Sequence, residues 1–454
     1  MAKNGRKNIA KDYDYAYVGI DVAKLNHEIC IKASPDLYIK KKFSITNTVS
    51  GYEKLVSVLQ GLKVDQDHIL ITMEVTGNYG LNLYQRLRND GYRALMISSS
   101  SVSDYRRYKS LVKTDAIDAD VIATIASREE AREAWVPKKE YADLRLYIRL
   151  KDKYSTDLKK YRIRLLNLLD TIFPNIQKVF KTGRNTMYAV LRAYPTPQSI
   201  IDADAEELFY VINTASRSRY GLDKVRELIV AAKDDISVPT YSDDAIRIAL
   251  DDCLDFIEEY SGKVREYKKR IKDIVEDMPM YKLLMSFPGC GEDTAAVCIS
   301  EIGDISRFED ARKLVAYAGM SIAIKLSGTS VKSNGRITKK GSKYLRHSLY
   351  LITEYARRLN PVIGAFFEKK KQGKQKRHVL AVNSCTNKVI HMIYSVLKHK
   401  SEFILYHKDL QKLSEEAREE FFGRIQFDVE NHPRRKVFLL EDEHGEIRKF
   451  VYKR

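Results

Sequence analysis

Asp21 closes the apolar run Tyr17-Val18-Gly19-Ile20, and Glu74 closes a second run that begins near His68; each stands just before the strand-like pattern breaks. A carboxylate at the buried end of a strand is costly unless it is paired, hydrogen-bonded or bound to a metal. Two further acids, Asp115 and Asp118, lie three residues apart in Lys113-Thr114-Asp115-Ala116-Ile117-Asp118-Ala119-Asp120, ahead of helix-forming residues. That spacing puts both on one helical face, whereas Asp120 points about 140° away from Asp115. Four carboxylates converging from two strands and one helix suit two Mg²⁺ ions about 4 Å apart, which activate an attacking oxygen and stabilise a leaving one in phosphodiester cleavage. On spacing alone, the same four acids also fit helix N-caps or unrelated surface positions.

A second candidate lies in Ser286-Phe287-Pro288-Gly289-Cys290-Gly291, ahead of a helix over Thr294 to Ile302. A glycine-rich turn that opens a helix can offer backbone N–H groups to a phosphate, so Gly289 and Gly291 are candidate nucleic-acid contacts; a tight interhelical turn is the competing reading. The charge distribution favours a polyanionic partner. Of the net +18, residues 321–380 carry +13, from 15 Lys or Arg against Glu354 and Glu368. A surplus this local is the footprint of phosphate-backbone binding, and the absence of an amphipathic run with bulky apolar anchors argues against a membrane surface.

Around these residues the 454-residue chain has room for several domains and globular composition, with 44% apolar residues and only 10 Pro. The longest near-apolar run, Leu314 to Ile324, is far short of a bilayer span, and the start of the chain is basic and polar, so a cytoplasmic protein is expected. Five scattered cysteines form neither a C-x-x-C pair nor a His-accompanied cluster, which argues against a zinc site or a disulfide framework. Residues 15–97 read as three strands, helix, strand, helix, strand, an α/β order. Two long helices follow. Tyr154, Leu158, Tyr161, Leu165, Leu168 and Ile172 step by four and three up to Pro174; Leu250, Leu254, Ile257, Val264, Ile271, Val275 and Met278 repeat similarly, interrupted at Ser261 and Lys268, up to Pro279. Either a coiled-coil seam or two ordinary amphipathic helices fits, packed on each other or on a second subunit. From Met280 the pattern is helical again, with a polar stretch from Ser327 to Gly341. Beyond about residue 405 the chain reads as an appendage, ending in a hairpin around Asp442-Glu443-His444-Gly445.

The blocks GIDVAK around Asp21, MEVTGNYG around Glu74 and KTDAIDADVIA around Asp115 and Asp118 resemble, in order and spacing, the RuvC-like DEDD domain of insertion-sequence-110 transposases. The stretch Lys325-Leu326-Ser327-Gly328, with Gly335 to Gly341 and Tyr344-Leu345-Arg346, resembles the serine block of the same family. The likeness runs from about residue 15 to 405 and includes Tyr194-Pro195-Thr196-Pro197 and Asn360-Pro361. It departs at Ser98 to Ser101, where the family often has Asn-Pro.

The resemblance implies an RNase-H/RuvC-like α/β domain over 13–135 after a basic tail over 1–12. A long helical coiled-coil domain over 136–280, a helical serine transposase domain over 281–405 with a helix-hairpin-helix-like start, and an extension over 406–454 would follow. It implies Mg²⁺, with Mn²⁺ as the alternative, on Asp21, Glu74, Asp115 and Asp118, and a nucleophile at Ser327. A serine hydroxyl is a weak nucleophile at neutral pH, and Lys325, Lys332, Arg336, Lys339, Lys340, Lys343 and Arg346 supply positive charge around it and candidate nucleic-acid contacts. The implied activity is cutting and rejoining donor and target DNA through a 5′-phosphoserine, guided by a noncoding bridge RNA. The implied assembly is a homo-oligomer, dimer or tetramer, with sites composed from different protomers. Two other readings share parts of this pattern: a metal-dependent junction nuclease using water, and a non-catalytic nucleic-acid-binding scaffold.

Overall fold

A computed structural model of the chain describes residues 13–74, 79–108, 115–128, 135–181, 184–238, 241–327, 330–372 and 378–453. The chain divides into two compact units between Pro137 and Lys138.

In the first unit, β1 (Ala16–Asp21), β2 (Asn26–Ser34) and β3 (Leu37–Thr46) form an antiparallel meander. It is followed by α1 (Val49–Gln60), β4 (Ile69–Glu74), α2 (Leu81–Asn89), β5 (Arg93–Ile97), α3 (Ser99–Tyr108) and α4 (Asp115–Ser127). The strands make one mixed sheet in the order β3-β2-β1-β4-β5, with β4 parallel to both β1 and β5. This mixed α/β sheet is compatible with a RuvC-like domain. Strand alternation divides the sheet cleanly. Val18, Ile20, Ile29, Ile31, Ile71 and Met73 pack with Leu55 and Leu59 of α1 and Leu83 and Leu87 of α2. The opposite face, which includes Gly19 and Cys30, receives Ala119 and Ala123 of α4. Gly19 makes that approach feasible: a Cβ there would stand 2.2 Å from Ala119 O and 2.3 Å from Ala123 N. The departure at the Ser98 to Ser101 run has a local role, because Ser98 Oγ accepts from Ser101 N–H (3.3 Å) at the start of α3.

The second unit begins with α5 (Lys139–Ile172), α6 (Ile176–Val179), α7 (Arg184–Ala193), α8 (Pro197–Ile201), α9 (Ala205–Ser216), α10 (Leu222–Lys233) and α11 (Asp243–Val275). The two long helices pack on each other within the chain, and their ring contacts give the direction. Tyr147 meets Tyr267, Tyr154 meets Tyr260 and Tyr267, and Tyr161 meets Phe256 and Tyr260, so one number rises as the other falls and the pair is antiparallel. Tyr147, Tyr154 and Tyr161 recur every seven residues, which makes them seam residues.

Then come α12 (Pro279–Ser286), α13 (Glu292–Ile302), α14 (Ala311–Tyr317), β6 (Ile322–Ser327), β7 (Ser330–Ile337), α15 (Lys343–Leu359), α16 (Pro361–Lys371) and α17 (His378–His399). The chain closes with β8 (Ile404–Leu405), α18 (His407–Leu410), α19 (Glu415–Gly423), β9 (Ile425–Gln426), β10 (Phe438–Glu441) and β11 (Ile447–Tyr452). Two features differ from the sequence reading. The stretch from 322 to 337 is a β-hairpin. The C-terminal residues are not an appendage: β8-β10-β11-β9 form a sheet, and Phe421, Phe438, Leu440 and Phe450 share one hydrophobic core with α13, α15 and α17. Lys436 ties this sheet down by donating to Phe287 O (3.0 Å) and to Cys290 O. Among the described residues no helix is long and apolar enough to cross a membrane.

Candidate functional site

The sheet register brings two of the predicted carboxylates side by side. Ile20 lies opposite Met73 in the parallel β1–β4 pair, so Asp21 and Glu74 are the next positions at adjacent C-terminal strand ends. Both alternate with residues of the α1–α2 face and therefore belong to the face covered by α4. The direction of α4 follows from its contacts. Ala119 and Ala123 sit over Gly19, while Thr124, further along, bonds Lys32, whose register partner is Tyr17. The helix thus runs opposite to β1, and its first turn, with Asp115 and Asp118, starts toward the Asp21–Glu74 end. Asp115 heads α4, but its side chain lies outside the described set.

Asp118 is buried, at 4% exposure, as is Glu74 at 8%. Arg106 Nη2 of α3 stands 2.6 Å from Asp118 Oδ1, yet the angle makes this an ion pair without a hydrogen bond, and Oδ1 has no hydrogen-bond partner among the described residues. A buried carboxylate oxygen in that condition, near the start of the helix that covers the Asp21–Glu74 face, is the donor chemistry a hard divalent cation takes. No group of three or more His, Cys, Asp or Glu side chains placed to hold a metal occurs among the described residues, a set without the Asp115 side chain.

Asp120 faces elsewhere, as its spacing indicates. It pairs with Lys32 Nζ (2.7 Å), which also donates to Thr124 Oγ1 (2.7 Å) and Pro35 O (3.0 Å). Lys32 is 2% exposed, so this network fixes α4 on β2 from inside the unit. Burial, followed by the Asp120 charge, pushes the neighbouring Cys30 thiol up to about 12, which keeps it protonated and inert. Lys32 and Arg106 position α4 and its carboxylate, and sequence reasoning missed both. A lysine inside the apolar run Ile29-Cys30-Ile31-Lys32-Ala33 was the one available signal.

In the second unit, Ser327 ends β6 opposite Ser330, flanking Gly328-Thr329, which lie outside the described residues. Lys325 is two positions before Ser327, on the same strand face, and pairs in register with Lys332. The side chains of Ser327, Lys325, Lys332 and Arg336 are outside the described set. The base of the hairpin is firmly held. Arg346 Nη1 donates to Ala318 O (3.2 Å) and Lys339 O (3.4 Å), Thr338 N–H to Ser321 O (2.8 Å), and Lys339 N–H to Gly319 O (3.0 Å). Gly319 and Gly341 take φ of +69° and +119°, and a Cβ on Gly341 would meet Tyr317 O at 2.0 Å. Lys339, Lys340 and Lys343 are exposed, whereas Arg346 is half-buried and engaged with the hairpin's own carbonyls.

The glycine turn before α13 uses its groups internally. Gly289, at φ +95°, lies where a Cβ would stand 2.5 Å from Ala356 N of α15, and Gly291 N–H donates to Thr294 Oγ1 (3.0 Å). Glu292 and Asp293 fill the first turn of α13, a charge that disfavours phosphate there. The geometry gives Gly289 a packing role and Gly291 a capping role.

Comparison with known proteins places these features in context. A family model described as a transposase, of the DEDD type of IS110, matches residues 18–174, and one described as the IS116/IS110/IS902 transposase family matches 281–368. A 44.8 kDa protein of insertion element IS116 from Streptomyces clavuligerus is 22% identical over 405 residues, covering 86% of this chain and 96% of its own. A pilin gene-inverting protein from Moraxella bovis is 21% identical over 396 residues, covering 85% of this chain and 97% of its own.

Proposed function

Because the chain is a transposase of the IS116/IS110/IS902 family, a DNA recombinase with a DEDD-type domain, we propose that it cuts and rejoins donor and target DNA through a covalent phosphoserine at Ser327. The observation that carries this reading is the placement of Asp21 and Glu74 at adjacent strand ends, on the face where α4 begins with Asp115 and Asp118. These four residues would hold Mg²⁺ or Mn²⁺, which when bound supplies Lewis-acid charge at the scissile phosphate. Ser327 Oγ attacks phosphorus, forming a bond to the 5′-phosphate while the 3′ oxygen leaves and takes a proton. In rejoining, a 3′ hydroxyl of the exchanged strand attacks the same phosphorus and Ser327 regains its proton. The phosphodiester energy is retained in the adduct, so no nucleotide is hydrolysed; the chain accordingly has no G-x-x-x-x-G-K-[ST] loop.

The lysines at the base of the hairpin offer charge that offsets the developing oxyanions. The reading requires the serine and the carboxylates to meet, as a homo-oligomer with composite sites provides. A noncoding bridge RNA choosing both DNA partners fits a protein whose concentrated basic surface suits backbone shape, with base pairing reading the sequence. Ser327→Ala tests the proposal: on labelled DNA under denaturing conditions the variant is expected to keep nucleic-acid binding and lose the protein-linked band. A surviving band would mean that a residue other than Ser327 forms the adduct, and cleavage leaving free 5′-phosphate ends would favour a water nucleophile. RNA copurifying with the chain tests guidance, and a random cellular population in place of one discrete element-encoded species would count against it.

A further inference from the structure

The helices between α5 and α11 carry a feature the strand-transfer chemistry does not use. Lys181, Arg184, Arg217 and Arg219 line a groove of about 640 Å³ with Asn185, Ser216 and Tyr220, and no acid lines it. All four cations are exposed, and none has a carboxylate within ion-pair distance among the described residues. On the adjoining α10 the opposite holds: Asp223 and Glu227 pair with Arg226 and Lys224. Like charges gathered in a concavity repel one another, an arrangement that is relieved when a polyanion enters.

The backbone that presents two of them is unusual. Arg217 and Ser218 both adopt left-handed conformations, φ +56° and +58°, which non-glycine residues enter only at a cost. Asn213 holds them there. Its carbonyl accepts from Ser218 N–H (2.8 Å), its Oδ1 from Ser218 Oγ (3.3 Å), and its Nδ2 donates to Tyr220 O (3.3 Å). Tyr220 N–H closes the loop on Ser216 Oγ (3.1 Å). The turn is the C-terminal cap of α9, so Arg217 and Arg219 are carried on backbone held by its own hydrogen bonds.

Position adds a second argument. Leu144 and Ile148 of α5 belong to the core that includes the serine domain, whereas Leu158 to Ile172 belong to the core of α6 to α10. From Ile148 to Ile172 the helix rises about 36 Å, so the groove is far from the Ser327 hairpin's supporting core.

We propose that this groove is a second nucleic-acid hold, in which Arg184, Arg217 and Arg219 grip successive phosphates of a backbone by paired guanidinium bonds and Lys181 adds a point charge. It rests on the reading that the chain works on nucleic acid. It serves to fix the substrate at a distance from the reacting phosphate.

The test replaces the four residues together, Lys181→Gln, Arg184→Gln, Arg217→Gln and Arg219→Gln, in the full chain, and measures affinity against salt for a short duplex DNA and for an RNA stem-loop. The slope of log K on log salt is expected to fall by about 3, with a loss of roughly tenfold or more in affinity at low salt, on whichever polymer the groove takes. A change confined to one polymer identifies that polymer as the source of the phosphates. Arg219→Glu alone should weaken binding more than Arg219→Gln, an ordering that loss of folding would not produce. Slopes and affinities equal to the parent's on both polymers overturn the groove. A parent chain that binds neither polymer in a salt-dependent way overturns the underlying reading as well.

Discussion

The carboxylate end of the first unit and the serine hairpin of the second are built on opposite principles. Asp21 and Glu74 ride on neighbouring parallel strands buried from both sides, and α4 is fixed above them by Gly19 and by the Lys32–Asp120–Thr124 network. Ser327 sits near the tip of a two-stranded hairpin held at its base by Arg346, Gly319 and Gly341. An isolated two-stranded hairpin is marginally stable in water, and this one depends on the contacts at its base. The difference teaches that carboxylates suited to a small hard ion, where tenths of an ångström count, sit on a preorganised scaffold, while Ser327 is carried on a hairpin whose own pairing is marginal.

Variants can break or sharpen that contrast. Gly19→Val should cost the most, about 3 kcal/mol or more, because the new side chain falls on the α4 backbone; urea unfolding of the first unit at the parental midpoint would refute that seating of α4. Lys32→Met removes a buried cation from Asp120, and since that carboxylate is 31% exposed the expected loss is about 2 kcal/mol by the same measurement. At the hairpin, Arg346→Ala should cost about 1 kcal/mol, through the two carbonyls it leaves at the base. Arg106→Gln should cost about 1 kcal/mol, since Asp118 is left buried without its ion partner, and should tighten Mn²⁺ binding severalfold, read by titration, because a competing cation leaves Asp118; unaltered or weaker binding would mean that Asp118 faces no metal. Lys340→Ala is the mildest, lowering the salt slope for DNA binding by about 1 with unfolding unchanged.

The strands of the first unit were legible because each is a short apolar or β-branched run bounded by turn residues, and the register then made sense of Asp21 and Glu74. The hairpin was not. Its first strand continues an apolar stretch that begins in α14 at Leu314, so the run from Leu314 to Ile324 reads as one helix although Gly319, at φ +69°, divides it. The signals overlooked were the alternation Ile322, Ile324, Leu326 and a two-residue link at Gly328-Thr329. Lys32 and Arg106 could not be assigned, since their worth depends on Thr124 and Asp118, partners that only the fold brings near. Lys436 is a similar case: it falls in the stretch that reads as an appendage, yet burial holds its ammonium below the ordinary lysine range against the carbonyls of Phe287 and Cys290. Ser327 was legible only as part of a motif, because nothing in a Ser-Gly pair distinguishes a nucleophile from a turn.

The tyrosine ladder between α5 and α11 makes the two long helices a ruler with a phase. Because Tyr147, Tyr154 and Tyr161 repeat every seven residues against Tyr260 and Tyr267, seven residues added to each helix would lengthen the pair by about 10 Å and turn the α6 to α10 cluster by only about 20°. One residue added to each would swing that cluster by about 100° at almost unchanged length. Length changes in this middle segment are therefore quantised: its reach can grow in heptads at nearly constant heading, while a single added residue redirects it.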